Sequence, residues 1–263
     1  MSRILVTGST TGVGHTAALE LVRAGHEVVF HARNTARAES LTGVGAGVVI
    51  GDLGEPAQVL AIADELRASG PFDVVIHNAG IDSTRDRDVN SVGQPLVTAV
   101  NLYAPYMLCA MMPLPTRLIF LSSSWHYDGH GDIDDIEWTA RPWDGVQAYC
   151  DSKLLLTALT LGLARRWPDV VCHAVDPGWV PTRMGGVDAP DELELGHPTQ
   201  VWLASSNDPA ALETGGYWFH MERLAPLAIA NDHSFQERLI DRLETLTGIT
   251  LPSAPRPPTT LTA

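Results

Sequence analysis

The chain has 263 residues, 45% of them apolar and 18% charged, with 23 glycines and 18 prolines. That composition belongs to a globular protein and excludes a disordered or collagen-like chain, and the length gives one large domain a core that needs no staples. Thirty-one acidic residues against 17 basic ones leave a formal charge of -14, which excludes a general affinity for nucleic acid or for an anionic membrane surface.

Met-Ser-Arg leads straight into the first apolar run, Ile4–Thr7, with no signal-peptide pattern. Thr7-Gly8-Ser9-Thr10-Thr11-Gly12-Val13-Gly14 then joins that strand to a predicted helix over Gly14–Ala24. Glycines permit a tight turn and the close approach of a phosphate, and a helix start offers unpaired N–H groups and a positive dipole end. The spacing is GxxxGxG, not GxGxxG. It is therefore the strand–loop–helix context that marks Gly8, Ser9, Thr10, Thr11, Gly12, Val13 and Gly14 as a dinucleotide cradle. An ordinary strand-to-helix turn is the alternative.

The second strand, Glu27–His31, ends in Ala32-Arg33-Asn34. A carboxylate there would mark NAD, whereas the Arg33 guanidinium can pair with a 2′-phosphate. NADP(H) is favoured and NAD(H) stays open, a solvated arginine being the other reading. The third strand, Gly47–Ile50, runs into Gly51-Asp52-Leu53, where Asp52 either meets the adenine amino group or caps a turn. A helix over Ala57–Ala68 is framed by Pro56 and Gly70-Pro71. The fourth strand, Asp73–His77, ends in Asn78-Ala79-Gly80, small residues suited to cofactor contact; Asn78 serves equally well to tie the loop to a neighbouring strand.

A helix over Leu96–Met112 carries Asn101 within an apolar stretch, where a carboxamide needs a partner or a task. The fifth strand, Leu118–Ser122, ends in Ser122-Ser123-Ser124, and a hydroxyl there can hold a carbonyl. After an insert over Trp125–Val146 comes a helix over Gln147–Arg166. Tyr149 and Lys153 lie four apart on one face of it. A phenol is a poor acid near neutrality, and a neighbouring cation favours its phenolate, so the pair can exchange a proton with a substrate oxygen. A sixth strand over Val170–Val175 completes an alternation of strands and helices. It predicts a single-domain α/β fold with a doubly wound, Rossmann-type parallel sheet over residues 1–251, binding ligands beyond the carboxyl ends of its strands. Residues 252–263 read as a Pro-rich flexible tail.

Thr7–Gly14, His77–Gly80, Asn101, Leu121–Ser124, Tyr149–Lys153 and Asp176–Thr182 resemble, in order and separation, the short-chain dehydrogenase/reductase family. The resemblance implies an oxidoreductase acting on a small carbonyl or alcohol. Tyr149 would be its acid/base, and Lys153 would tune Tyr149 and grip the nicotinamide ribose. Ser123 would orient the carbonyl and Asn101 would position a relay water. Pro177, Gly178 and Thr182 look like the family's nicotinamide loop. SSSWH, the long insert and AYCDSKL look like the retinol-dehydrogenase-like branch, as does Gly215–His220 for a late strand. Thr11 departs from the basic residue that many NADP-preferring members carry in the loop.

Trp125, Trp179 and Trp202 are candidates for an apolar substrate pocket. His126 is expected at the surface or at the substrate, and residues 183–198 are expected to form a solvated lid. Leu155, Leu159 and Leu163 are expected at outer positions able to pair subunits into a homodimer or homotetramer. No CxxC pair, HExxH or His/Asp/Glu cluster suggests a metal. Cys109, Cys150 and Cys172 are too few and scattered for a disulfide framework, so a cytoplasmic location is expected. No run approaches the ~18 residues of a membrane helix. Rival readings are a non-catalytic dinucleotide sensor and a nucleotide-sugar epimerase or dehydratase.

Overall fold

Short runs rich in Val, Ile and Leu are stable as strands only when both sheet faces are covered. The computed structural model, which describes residues 1–82 and 86–253, has this arrangement. The first half comprises β1 (Arg3–Val6), α1 (Gly12–Arg23), β2 (Glu27–Ala32), the short α2 (Thr35–Ala38), β3 (Gly47–Ile50), α3 (Pro56–Ala68) and β4 (Val74–His77). A helical run follows: α4 (Leu96–Thr98), a π segment over Ala99–Tyr103, and α5 (Ala104–Met111). The second half has β5 (Arg117–Leu121), α6 (Gly145–Arg166), β6 (Val171–Asp176), α7 (Pro198–Ser205), α8 (Pro209–Leu212), β7 (Gly216–Phe219), β8 (Glu222–Leu224) and α9 (His233–Thr247).

The sheet order is β3-β2-β1-β4-β5-β6-β7-β8. All pairs are parallel except β7 with β8. The order reverses between β1 and β4, where an open α/β sheet leaves its ligand crevice. Alternate residues of each strand feed opposite layers: Ile4, Val6 and Ile76 join one apolar cluster with α1 and α7, while Leu5, Val75 and Phe120 join another with α3, α5, α6 and α9. The six expected strands are present within a residue or two. The antiparallel β8 was not anticipated; its hairpin turns through His220 and Met221 at φ 44° and 70°, a conformation usually given to Asn-Gly. Residues 254–263 of the expected tail lie outside the described residues. Among the described residues no helix is long and apolar enough to cross a membrane.

Helix α6 corrects one expectation. Leu155, Leu159 and Leu163 are not outer positions; they are buried in the chain's own core. Every residue from Cys150 to Ala164 is buried, because both flanks are covered from within. On one side α9 binds through Arg165, which donates to Gln236 at 3.2 Å and pairs with Glu237. On the other side the insert is fastened to Asp151. That carboxylate accepts from the His130 N–H at 2.7 Å, Gln147 Nε2 at 2.9 Å and Arg141 Nη2 at 2.8 Å. Arg141 also lies 3.4 Å from Asp135 and stacks over the Trp138 ring at 3.7 Å.

Arg141 thus neutralises two buried carboxylates. Removing one partner of such a cluster leaves uncompensated buried charge, so Arg141→Ala is expected to cost about 3 kcal/mol. Urea denaturation checks this; a loss near zero would show that the insert is not held by these pairs.

Candidate active site

The glycine loop leaves β1 under tight constraint. Gly8 and Gly12 have φ of 62° and 63°, where residues other than glycine are strained. A Cβ on Gly8 would lie 2.8 Å from Ala79 Cα, so the loop and the end of β4 are in close contact. Ala79 N–H donates to Thr7 Oγ1 at 3.0 Å, and Asn78 Nδ2 donates to the Thr7 and Gly8 carbonyls at 3.0 and 3.3 Å. Asn78 is therefore the tie between strands. Gly14 is buried against that same amide, leaving no room for a side chain. Ser9 is also turned inward: its hydroxyl donates to the Val6 carbonyl and accepts from the His31 N–H. What remains open is the exposed Thr11, which makes no side-chain cap, and the first-turn N–H groups of α1, which have no partner within the helix. That donor set fits an anionic pyrophosphate.

At the end of β2, Arg33 is exposed and its Nε donates to Asp52 Oδ2 at 2.8 Å. Asp52 Oδ1 accepts from Gly54 N–H at 2.9 Å, so the turn-capping reading of Asp52 is realised. Asn34 caps α2 by accepting from the Arg37 N–H. The Leu53 side chain lies in the core, which leaves its backbone as the part able to meet a ligand.

The reactive groups converge at the carboxyl ends of β4, β5 and β6. Of the three serines, Ser122 is buried against Thr157 Oγ1 at 2.6 Å and Ser124 is exposed. Ser123 accepts from the Trp125 N–H at 3.3 Å, and of the three it is the one whose hydroxyl lowers the pKa of the Tyr149 phenol. Lys153 Nζ lies 5.6 Å from the centroid of the Tyr149 ring and donates to the Leu121 carbonyl at 2.8 Å. Burial pushes the phenol up to about 12, with the Ser123 hydroxyl pulling the other way and negative charge at Asp82 and Asp176 adding to the rise. Burial also draws the Lys153 ammonium down to about 8, opposed by Asp176 and Asp82. Asn101 sits in the π segment. Its carboxamide accepts from the Ile81 N–H at 2.9 Å and donates to the Ile81 carbonyl and Ser152 Oγ, both at 3.0 Å.

The loop after β6 closes one side. Gly178 has φ 82°, with Asp191 and His220 crowding the place a Cβ would take. Asp191 accepts from the Trp179 N–H at 2.7 Å and donates its own N–H to the Trp179 carbonyl. The segment expected as a solvated lid is thus docked at Asp191, with Glu192 and Glu194 exposed. Thr182 accepts from Gly185 N–H, and its methyl faces Gly12. Trp179 is 52% exposed and Trp125 38% exposed, the latter edge-on to Tyr149 at 5.9 Å. Trp202 instead packs on Trp218 behind the sheet, so it leaves the list of pocket candidates.

Three supporting side chains were not legible in the sequence. His31 bridges the cradle to β3: Nδ1 accepts from Gly8 N–H at 3.0 Å and Nε2 donates to the Gly51 carbonyl at 2.9 Å. His126, expected at the surface or at the substrate, is fully buried; Nδ1 donates to the Ser123 carbonyl at 2.7 Å and Nε2 accepts from Leu227 N–H at 3.1 Å. Asp176 is a buried carboxylate that accepts from Gly178 N–H at 2.9 Å and the Tyr217 hydroxyl at 3.3 Å.

Comparison with known proteins places this geometry. The model of the short chain dehydrogenase family matches residues 2–192. "Short-chain dehydrogenase chry4" of Gibberella zeae is 42% identical, covering 96% of this chain and all of the relative. "Retinol dehydrogenase 13" of Homo sapiens is 28% identical over 97% of this chain and 87% of the relative. A solved structure from Mycobacterium paratuberculosis superposes with a TM-score of 0.82 at 25% identity, covering 96% of this chain and 95% of that one. The chain belongs to the short-chain dehydrogenase family and has a retinol dehydrogenase among its relatives.

Burial lowers the basicity of His31, His126, His77 (to about 3) and His173 (to about 4). All four are neutral in the fold, whereas in the unfolded chain they titrate near ~6.5. Their folded values lie below the unfolded one, so the stability they contribute is complete above ~6.5 and is lost as pH falls. The urea midpoint is expected to drop between pH 7 and pH 5; an unchanged midpoint would contradict the neutral assignments.

Proposed function

We propose that this chain is an NADP(H)-dependent oxidoreductase that interconverts a carbonyl and an alcohol on a small, apolar substrate, with Ser123, Tyr149, Lys153 and Asn101 as its working set. The observation that carries this is the placing of the Lys153 ammonium 5.6 Å from the centroid of the Tyr149 ring, tied to the Leu121 carbonyl two residues before Ser123, at the strand ends beyond the glycine loop. The dinucleotide, when bound, supplies or accepts hydride at carbon. The first-turn N–H groups after Thr10, Thr11, Gly12 and Val13 would hold its pyrophosphate. Arg33 would meet a 2′-phosphate, and Pro177, Gly178 and Thr182 would border the nicotinamide.

The protein's own part is proton movement and orientation. Tyr149 keeps its proton through neutral pH and can donate it to a substrate oxygen that Ser123 orients. The Asn101 carboxamide is committed to Ile81 and Ser152, so a relay water would be met by its main-chain carbonyl, in a segment whose π geometry disturbs the regular bonding ladder. The exposed faces of Trp125 and Trp179 at the mouth suit an apolar substrate.

Tyr149→Phe is expected to lower turnover at least ~100-fold, the scale of general acid catalysis, while NADPH binding, followed by fluorescence titration, changes little. Turnover within twofold of the parent would refute the role of the phenol. Arg33→Ala is expected to raise KM for NADPH much more than KM for NADH, by roughly tenfold for one charge-assisted contact. Equal effects on both cofactors would remove the basis for NADP preference.

A further inference from the structure

Asp176 is the least accounted-for group near the reactive pair. It is 2% exposed and ends β6. Its oxygens receive two hydrogen bonds, from the Gly178 N–H and the Tyr217 hydroxyl, both neutral donors. Among the described residues no ion pair within 4.0 Å is formed by this carboxylate. A buried carboxylate without a cation is costly. The sheet register supplies one. Leu121, whose carbonyl takes the Lys153 ammonium, pairs with Val175, the residue before Asp176. Lys153 is the single lysine of the chain, and it too is buried.

We propose that Asp176 is a positioning residue of this site: the buried counter-charge of the Lys153 ammonium, whose two oxygens also fix the Gly178 turn and the Tyr217 ring. This deepens the oxidoreductase reading and rests on it. Two opposite charges share one low-dielectric region at the ends of adjacent strands, and each lowers the cost of burying the other. The other groups that face this region are Tyr217 from β7, His126 and Tyr127 from the turn after β5, Tyr149 from α6, and Asp82 from the loop after β4. His126 is neutral and the tyrosines keep their protons near neutrality, so Asp176 and Asp82 are the anions and Lys153 the cation. Asp82 is exposed and solvent-screened; Asp176 is not. The same carboxylate therefore couples the charge on Lys153 to the shape of the Gly178 turn.

The single lysine makes the test direct. Protein grown on 13Cε-lysine gives one side-chain signal, whose shift against pH reports Lys153 with no need for turnover. Asp176→Asn keeps an acceptor for Gly178 N–H and removes the charge. The Lys153 midpoint, at about 8 in the parent, is expected to fall by about one pH unit or more. Tyr217→Phe removes a neutral donor and keeps the charge, so its midpoint should stay near the parent's. Should Asp176→Asn fail to fold, Asp176→Ser takes its place with the same expected fall. An unchanged midpoint in a folded Asp176 variant overturns the proposal. In turnover, the alkaline decline of carbonyl reduction should move to lower pH in the Asn variant. A parent protein that turns over no carbonyl or alcohol would sink the oxidoreductase reading instead, leaving the lysine titration to decide the electrostatic pairing on its own.

Discussion

The structure turns on the burial of α6 along its length. A helix that is apolar all round must be covered all round, and this one is: the sheet, α4 and the π segment take one side, while the insert and α9 take the rest. The cover is polar where the helix is polar. Asp151 is met by Arg141, Gln147 and the His130 N–H. Lys153 is met by the Leu121 carbonyl. Because the helix cannot shift without breaking these bonds, the Tyr149 ring is held beside Lys153 and Trp125.

The same rigidity extends to the nucleotide side. His31 joins the cradle to the end of β3, Asn78 joins it to the end of β4, and His126 joins the Ser123 turn to the segment before α9. Each is a side chain that bonds a backbone group distant from it in sequence, which is how loops at sheet edges are held without secondary structure of their own. The reactive residues sit on rigid elements, and the supports sit one step behind them.

Much of this was legible in the chain. The strands announce themselves through β-branched runs, and the Tyr149–Lys153 spacing sets both on one helix face whatever surrounds them. The choice of Ser123 followed from the resemblance; the bond that turns Ser122 inward to Thr157 could not be read from the sequence. What was hidden depends on partners distant in sequence. Leu155, Leu159 and Leu163 look like a seam, but α9 begins about 70 residues after Leu163 and no local pattern shows where it will dock. His126 reads as a loop histidine, since its acceptor role depends on Leu227, 101 positions away. Asp176 received no role from the sequence, since its partner Tyr217 lies 41 positions away.

The surface carries its positive charge almost wholly as guanidinium, since the chain's one ε-amine is enclosed beside the Tyr149 ring. Reagents that attack lysine side chains, such as succinimidyl esters or aldehyde resins, would find none exposed.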